Sequence, residues 1–211
     1  MIEGFLGLMG MGKTMLGVDH SVRLAARRGS WLVSNILITP LVPLVKYVQL
    51  GTGDDGLDVV ELERLLTEAK AAKCGVVLYL DEIGILMPAR FWATFPVSLM
   101  WMLSQSRKLK IDLVFSAQDI EQVDSFLRRL TQWVYRVKAF PTPTLERREA
   151  GRRPWFFVVS KWRPTKVDKR GEREGLRRIR YRREWEGQYD TDEIVRPPAR
   201  LTRPKTTRGR E

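Results

Sequence analysis

The stretch 7-GLMGMGKT-14 stands between an apolar run and a run with helical spacing, and its reading decides the fold. Gly7, four residues, then Gly12-Lys13-Thr14 is the spacing of a phosphate loop. Gly7, Gly10 and Gly12 allow a tight turn in which successive N–H groups, that of Met11 included, face an anion at a helix N-terminus. In such a loop Lys13 reaches the β- and γ-phosphates and the Thr14 hydroxyl ligates Mg²⁺. The pattern carries weight only between a buried strand and a helix. Ile2 to Leu8 is apolar apart from Glu3 and two glycines. Met15 to Arg28 places Met15, Val18, Val22 and Ala25 or Ala26 at helical spacing, and Gly29 ends it.

With 211 residues, the chain has room for one α/β domain and an appendage. Its one cysteine, Cys74, excludes an internal disulfide framework and a cysteine-rich metal site, and its position in an apolar strand predicts an inert buried thiol. The one histidine, His20, falls on the helix after the loop, where a plain helix-surface role is expected. The N-terminus begins in a strand, without a basic segment and apolar signal region. Ser30 to Val45 and Phe91 to Ser106, the longest uncharged stretches, are interrupted by prolines and polar residues and fall short of the ~20 apolar residues of a spanning helix. Net charge is +12, but Met1 to Glu146 holds 16 basic and 15 acidic residues, against 21 and 10 from Arg147 onward. The excess in the last third points to nucleic acid or an anionic membrane as a partner.

Ser30 to Asn35 and Lys46 to Leu50 read as strands, and Gly51 to Gly56 as a loop. Asp58 is the expected N-cap, with Glu61 completing a capping box, of a helix whose face is Val59, Leu62, Leu65, Leu66 and Ala69. Gly75 to Leu80, GVVLYL, reads as a central parallel strand buried on both faces, and it ends in Asp81-Glu82. Paired carboxylates at the tip of such a strand lie where α/β sheets bind ligands. Asp81 is expected to hold Mg²⁺ and Glu82 to polarise an attacking water. A helix within Phe95 to Arg107, a strand Ile111 to Ser116, a helix Val123 to Leu130 and a strand Trp133 to Ala139 follow, and Pro141 and Pro143 close the unit. Gln118, directly after a strand, either contacts a γ-phosphate or the lytic water or satisfies a loop backbone. Trp155 to Lys161 and Ile179 to Trp185 read as a hairpin around the charged loop Arg163 to Arg178, serving either to grip a nucleic acid, with arginines on phosphates and Tyr181 and Trp185 stacked on bases, or as a solvated edge. The tail from Arg196 is basic and proline-rich, and is expected to be disordered when unbound. The expected architecture is therefore α/β, a P-loop NTPase with a mostly parallel sheet flanked by helices (1–143), a basic β-hairpin extension (144–190) and a disordered basic tail (191–211).

The Gly7–Thr14 loop, LYLDEIG from Leu78 to Gly84, and SAQDIEQVDSFLRRLTQWVYRV from Ser116 to Val137 together resemble the zonular occludens toxin-like ATPases of filamentous phages, within the FtsK-HerA group of DNA-translocating ATPases. The resemblance covers about Met1 to Phe140. It implies an ATP- and Mg²⁺-dependent motor acting on phage or viral DNA, with Lys13 and Thr14 as Walker A residues, Asp81 and Glu82 as Walker B, and Gln118 as sensor. It also implies a homo-oligomeric ring, expected to be a hexamer, with Arg107, Arg128 or Arg129 as arginine-finger candidates. The expected location is the host cytoplasm or the cytoplasmic face of the inner membrane, next to inner-membrane assembly proteins. Filamentous-phage members usually continue through a transmembrane helix, and this sequence has no such segment. A shortened chain, a split gene and a soluble relative, such as the genome-packaging ATPase of a tailless membrane-containing virus, all remain open. Two other functions are carried: a small-molecule phosphotransferase, disfavoured because no compact arginine-bearing lid is seen, and a DNA- or membrane-docking scaffold that binds nucleotide without turnover.

Overall fold

A computed structural model describes residues 1–53, 56–86, 97–142, 144, 153–164 and 172–189. Strand β1 (Ile2–Leu6) has all five residues buried and lies inside an eight-stranded sheet. Its neighbours are β7 (Ile111–Ala117) and β8 (Trp133–Phe140), both parallel to it. Beyond β7 follow β6 (Val76–Leu80), β2 (Trp31–Ser34) and β3 (Tyr47–Gln49), again parallel. Beyond β8 the sheet turns antiparallel through β9 (Phe156–Arg163) and β10 (Glu172–Arg180). A separate two-stranded ribbon, β4 (Thr52–Gly53) with β5 (Gly56–Leu57), falls in the stretch read as a loop.

Both faces of the parallel part are covered, which is why β6 and β7 are apolar almost throughout. On one face lies α1 (Lys13–Arg28), packing Leu16, Val18 and Val22 against Phe5, Val77 and Tyr79. On the other, α2 (Val59–Ala71), α4 (Val97–Ser104) and α5 (Ser125–Leu130) cover Ile2, Leu78, Leu113 and Phe115. A short helix, α3 (Ile83–Leu86), follows β6 directly. Helix α1 begins at Lys13, earlier than the apolar spacing indicates, because the loop's last residues already form its first turn. Gly12 before it and Gly29 after it both take left-handed φ, 86° and 59°. For α2, the Asp58 side chain accepts from the Glu61 N–H at 2.9 Å as expected, but the Glu61 carboxylate pairs with Arg64 instead of closing the box.

Three local expectations change. The helix expected over Val123–Leu130 starts later, as α5 at Ser125, because Asp124 caps it through the Phe126 N–H at 2.7 Å, and a separate 3-10 turn, Ile120–Gln122, precedes it. Cys74 is half-buried rather than enclosed, since it belongs to the turn between α2 and β6. The second hairpin strand is Glu172–Arg180, most of it in the segment read as a loop, while Arg183–Gly187 forms a 3-10 turn that buries Trp185, so its ring is not open to stack on a base. Trp185 explains that shift: only 2% exposed, it packs near Phe157 and Tyr181 and donates to Asp19 of α1 at 2.9 Å. The hairpin also joins the main sheet, with β9 paired to β8 from Val134↔Trp162 to Phe140↔Phe156. The tail 191–211, expected to be disordered, lies outside the described residues, as does 165–171 of the charged loop. No helix among the described residues is long and apolar enough to cross a membrane.

Gly4 of β1 is paired with Phe115 of β7, and a Cβ there would come within 2.5 Å of the Phe115 ring. Gly4→Ala should therefore lower the unfolding free energy by about 1–3 kcal/mol through overpacking. Urea midpoints check this, and Phe115→Leu in the Gly4→Ala background should recover part of the loss.

Candidate functional site

The C-terminal ends of β1, β7 and β6, three adjacent strands, carry the phosphate-loop sequence, Gln118 and Asp81-Glu82 respectively. The parallel pairing aligns these ends, since Leu6 pairs with Ala117 and Leu80 with Phe115. The loop leaves β1 through Gly7, whose N–H reaches the Ala117 carbonyl at 3.4 Å, and passes Gly10 (φ 75°) and Gly12 (φ 86°) before entering α1. Met11 anchors it: the Met11 Sδ accepts from the Ala139 N–H of β8 at 3.5 Å, while Leu8 and Met9 stay exposed.

Asp81 is 7% exposed, and its carboxylate is matched on both oxygens. Oδ1 accepts from the Tyr79 hydroxyl and from the Ser116 hydroxyl, each at 2.7 Å. Oδ2 accepts from the Thr14 hydroxyl at 3.3 Å. The Asp81 backbone is held from β2's end, where the Asn35 side chain accepts from its N–H at 2.7 Å and donates to its carbonyl at 3.3 Å. Burial and the adjacent Asp81 charge push the Tyr79 hydroxyl far above its usual range, so it remains a donor at any ordinary pH.

Glu82 has φ 46°, a conformation that costs a non-glycine residue about 1 kcal/mol or more. Its N–H donates to the Ser116 hydroxyl at 2.9 Å, so one side chain of β7 holds the Asp81 carboxylate and the Glu82 backbone. The Glu82 carboxylate lies 3.4 Å from the Lys13 ammonium, whose side chain is only 5% exposed. Lys13, Thr14, Asp81 and Glu82 thus meet in one place. The Thr14 hydroxyl and Asp81 Oδ2 are hard oxygen donors suited to Mg²⁺, which takes one or two protein ligands and completes its shell with water and phosphate oxygens.

Gln118 is half-buried and lines a groove of about 420 Å³ with Gly7, Leu8, Arg136, Lys138 and Phe140. It therefore sits beside the loop rather than behind it. Arg107 lies elsewhere: with Gly29, Gly75 and Ile111 it lines a groove at the opposite edge of the sheet, where β6 and β7 begin. Seven residues of β7 separate the two edges, about 20 Å of strand, so Arg107 cannot serve its own chain's loop. Arg128 is half-buried on α5, and the neighbouring Arg129 Nε donates to the Ser125 carbonyl. His20 does more than decorate a helix surface. Its Nε2 lies 2.7 Å from the Oε2 of buried Glu3, whose Oε1 accepts from the Tyr135 hydroxyl at 3.0 Å. Burial pushes the Glu3 carboxyl up, but the bonds and charge of His20, with Tyr135 and Lys161, bring it below the usual range.

Sequence reasoning missed Tyr79, Ser116 and Asn35. Tyr79 had a signal in its spacing, two residues before Asp81 and so on the same side of β6. It also missed Phe157 of β9, whose ring lies where a Gly12 Cβ would have to go, 2.4 Å away. No local pattern announces that contact, because it depends on how the hairpin docks.

The family profile described as zonular occludens toxin (Zot) matches residues 1–170. Among solved structures, the N-terminal domain of zonular occludens toxin from Neisseria meningitidis aligns over 90% of this chain and 98% of its own, with 15% identity and TM-score 0.59. The genome packaging NTPase B204 of Sulfolobus turreted icosahedral virus 2, in complex with ATP-gammaS, aligns over 85% and 96%, with 13% identity and TM-score 0.54. B204 of Sulfolobus turreted icosahedral virus, a DNA-packaging ATPase, aligns over the same shares with 17% identity and TM-score 0.52. No curated protein matches the sequence.

Ser116→Ala leaves the Glu82 N–H without its acceptor and Asp81 with one donor fewer. The unfolding free energy should fall by about 1–3 kcal/mol, read from urea midpoints. An unchanged midpoint would mean that the shared hydroxyl does not hold Asp81 and the Glu82 amide.

Proposed function

From the premise that the chain belongs to the zonular occludens toxin (Zot) family, we propose that it is an ATP-hydrolysing motor that moves phage or viral DNA during virion assembly or extrusion. One observation carries the hydrolytic part: Lys13, Thr14, Asp81 and Glu82 converge at the ends of adjacent strands, with Ser116 bonded to the Asp81 carboxylate and the Glu82 backbone. In this reading the loop N–H groups and Lys13 bind the phosphates, and Thr14 with Asp81 holds Mg²⁺. The metal, when bound, supplies charge neutralisation at the phosphate oxygens. Glu82 orients and deprotonates a water, a role its half-open position allows: its side chain is 24% exposed against 5% for Lys13. Gln118 is the sensor, and its groove leads to the basic residues of β8.

Basic residues of the C-terminal part are the proposed DNA contacts, and the unit works as a homo-oligomeric ring, a hexamer in the simplest version. Arg107 faces away from its own loop, which suits a group donated to a neighbouring subunit; Arg128 and Arg129 are the alternatives. The proposed location is the host cytoplasm, at or near the inner membrane and its assembly proteins. The fold likeness to B204, a genome packaging NTPase, favours a second reading in which the DNA is packed into a capsid instead of extruded. A scaffold that binds nucleotide without turnover is the third, and it separates cleanly from the motor by experiment.

Lys13→Ala should abolish binding of a fluorescent ATP analogue and phosphate release together, because it removes the buried ammonium. Glu82→Gln should keep binding and lower turnover by about 10²- to 10⁴-fold. Turnover of Glu82→Gln at the wild-type rate would remove Glu82 from its role, and wild-type protein that binds without hydrolysing would favour the scaffold.

A further inference from the structure

The hairpin strands carry charge on both faces, but on the outer face, away from α1, it is of one sign over three successive cross-strand rows. Cross-strand rows on the face turned away from α1 read Arg136–Ser160–Leu176, Lys138–Val158–Arg178 and Phe140–Phe156–Arg180, from β8 through β9 to β10. These rows contain four basic side chains and no acidic one. The acidic residue of β10 nearest them, Glu174, sits at the register shift and lines the cavity on the α1 side. Among the described residues no helix lies over the outer rows: Phe140 is 51% and Leu176 56% exposed, and Lys138, Arg178 and Arg180 are exposed as well.

Planar groups sit among these charges. The Phe140 and Phe156 rings stack with centroids 5.3 Å apart and planes 10° from parallel. The Arg178 guanidinium lies 3.8 Å from the Phe156 ring centroid, and that of Arg136 5.0 Å from the Trp162 ring. Trp155, 71% exposed, adjoins the same rows, and a groove of about 460 Å³ runs between Trp155, Phe156, Arg178 and Arg180. A second groove joins Arg136, Lys138 and Phe140 to Gln118 and Gly7.

We infer that this face of β8–β10 is a binding platform for single-stranded DNA, with the arginines and Lys138 on phosphates and the exposed rings of Phe140 and Trp155 against bases, Phe156 backing them from beneath Arg178. The inference rests on the reading that the protein acts on DNA, and adds where the strand lies and in what form. Charge of one sign calls for a polyanion and disfavours a second copy of the same face. Exposed rings and guanidinium planes offer surfaces for unpaired bases, which a duplex keeps within its stack. A flat three-stranded face also presents no helix or ribbon that could enter a major groove. An anionic lipid surface would satisfy the charge but leave the stacked rings without a role.

Anisotropy titrations of the full chain with a labelled oligothymidylate and with a labelled duplex of equal length, over a range of salt, test this. Arg178→Gln/Arg180→Gln should flatten the log–log salt slope for the single strand by about 1.4. Phe140→Ala should weaken single-strand binding roughly 5- to 150-fold and leave duplex binding alone. Thermal unfolding and DNA-free ATP hydrolysis of Arg178→Gln/Arg180→Gln should match the wild type. If the wild type binds neither oligonucleotide, the DNA reading itself falls. If it binds single strands and the variants do so with unchanged affinity and slope, the platform falls and the DNA reading stands. Equal losses on duplex and single strand overturn the base-stacking assignment. Phosphatidylserine vesicles losing affinity for the variants while the oligothymidylate does not would give the face to a membrane.

Discussion

A carboxylate taken almost out of water has to be met by donors on every side, and Asp81 meets that demand with groups from four parts of the chain. Tyr79 comes from its own strand, Ser116 from β7, Thr14 from the start of α1, and Asn35 clamps the backbone from the end of β2. Because each donor sits at or near the end of an element, the network fixes how those ends line up. Slipping β7 against β6 by one residue would turn Ser116 to the opposite face, stranding Asp81 and the Glu82 amide together. The left-handed backbone at Glu82 persists because that same hydroxyl holds its N–H. Register, strain and the placement of the four polar groups are thus one constraint seen from different residues.

Much of this was legible in the sequence, for a physical reason: the informative features are local. A strand, a glycine-rich turn and a helix are consecutive in residues 2–28, so pattern and context are read together. The apolar run of β6 and the carboxylates after it are likewise adjacent, and in a parallel sheet the ends of such strands face the same way. Asp58 as the N-cap of α2 was readable because capping acts over three residues.

What was not legible depends on tertiary placement. The segment 179-IRYRREW-185 alternates as a half-buried strand does, yet Trp185 leaves that pattern to cover α1 beside Asp19. The strand that replaces it, 172-EREGLRRIR-180, has few apolar residues because it is the sheet's edge and is open on one face. Propensity rewards buried strands, so an exposed, arginine-rich one escapes it. Long charged side chains at a sheet edge also discourage pairing with another sheet, which reconciles the composition of β10 with its position. Phe157 against Gly12 belongs to the same class, a contact between residues far apart in sequence.

The place of β1 in the sheet bears on how the chain is made. Its partners are residues such as Leu113 and Trp133, so β1 leaves the ribosome well before either neighbour and stays unpaired until β7 and β8 have followed. The loop attached to β1 stays unformed for the same interval, and its packing against Phe157 waits longer still. Contacts this distant in sequence make folding slow and leave apolar strands uncovered meanwhile. A ligand stabilises only the state that binds it. Anything that occupies the loop therefore favours finished chains alone, and an incomplete one remains exposed to chaperones and proteases.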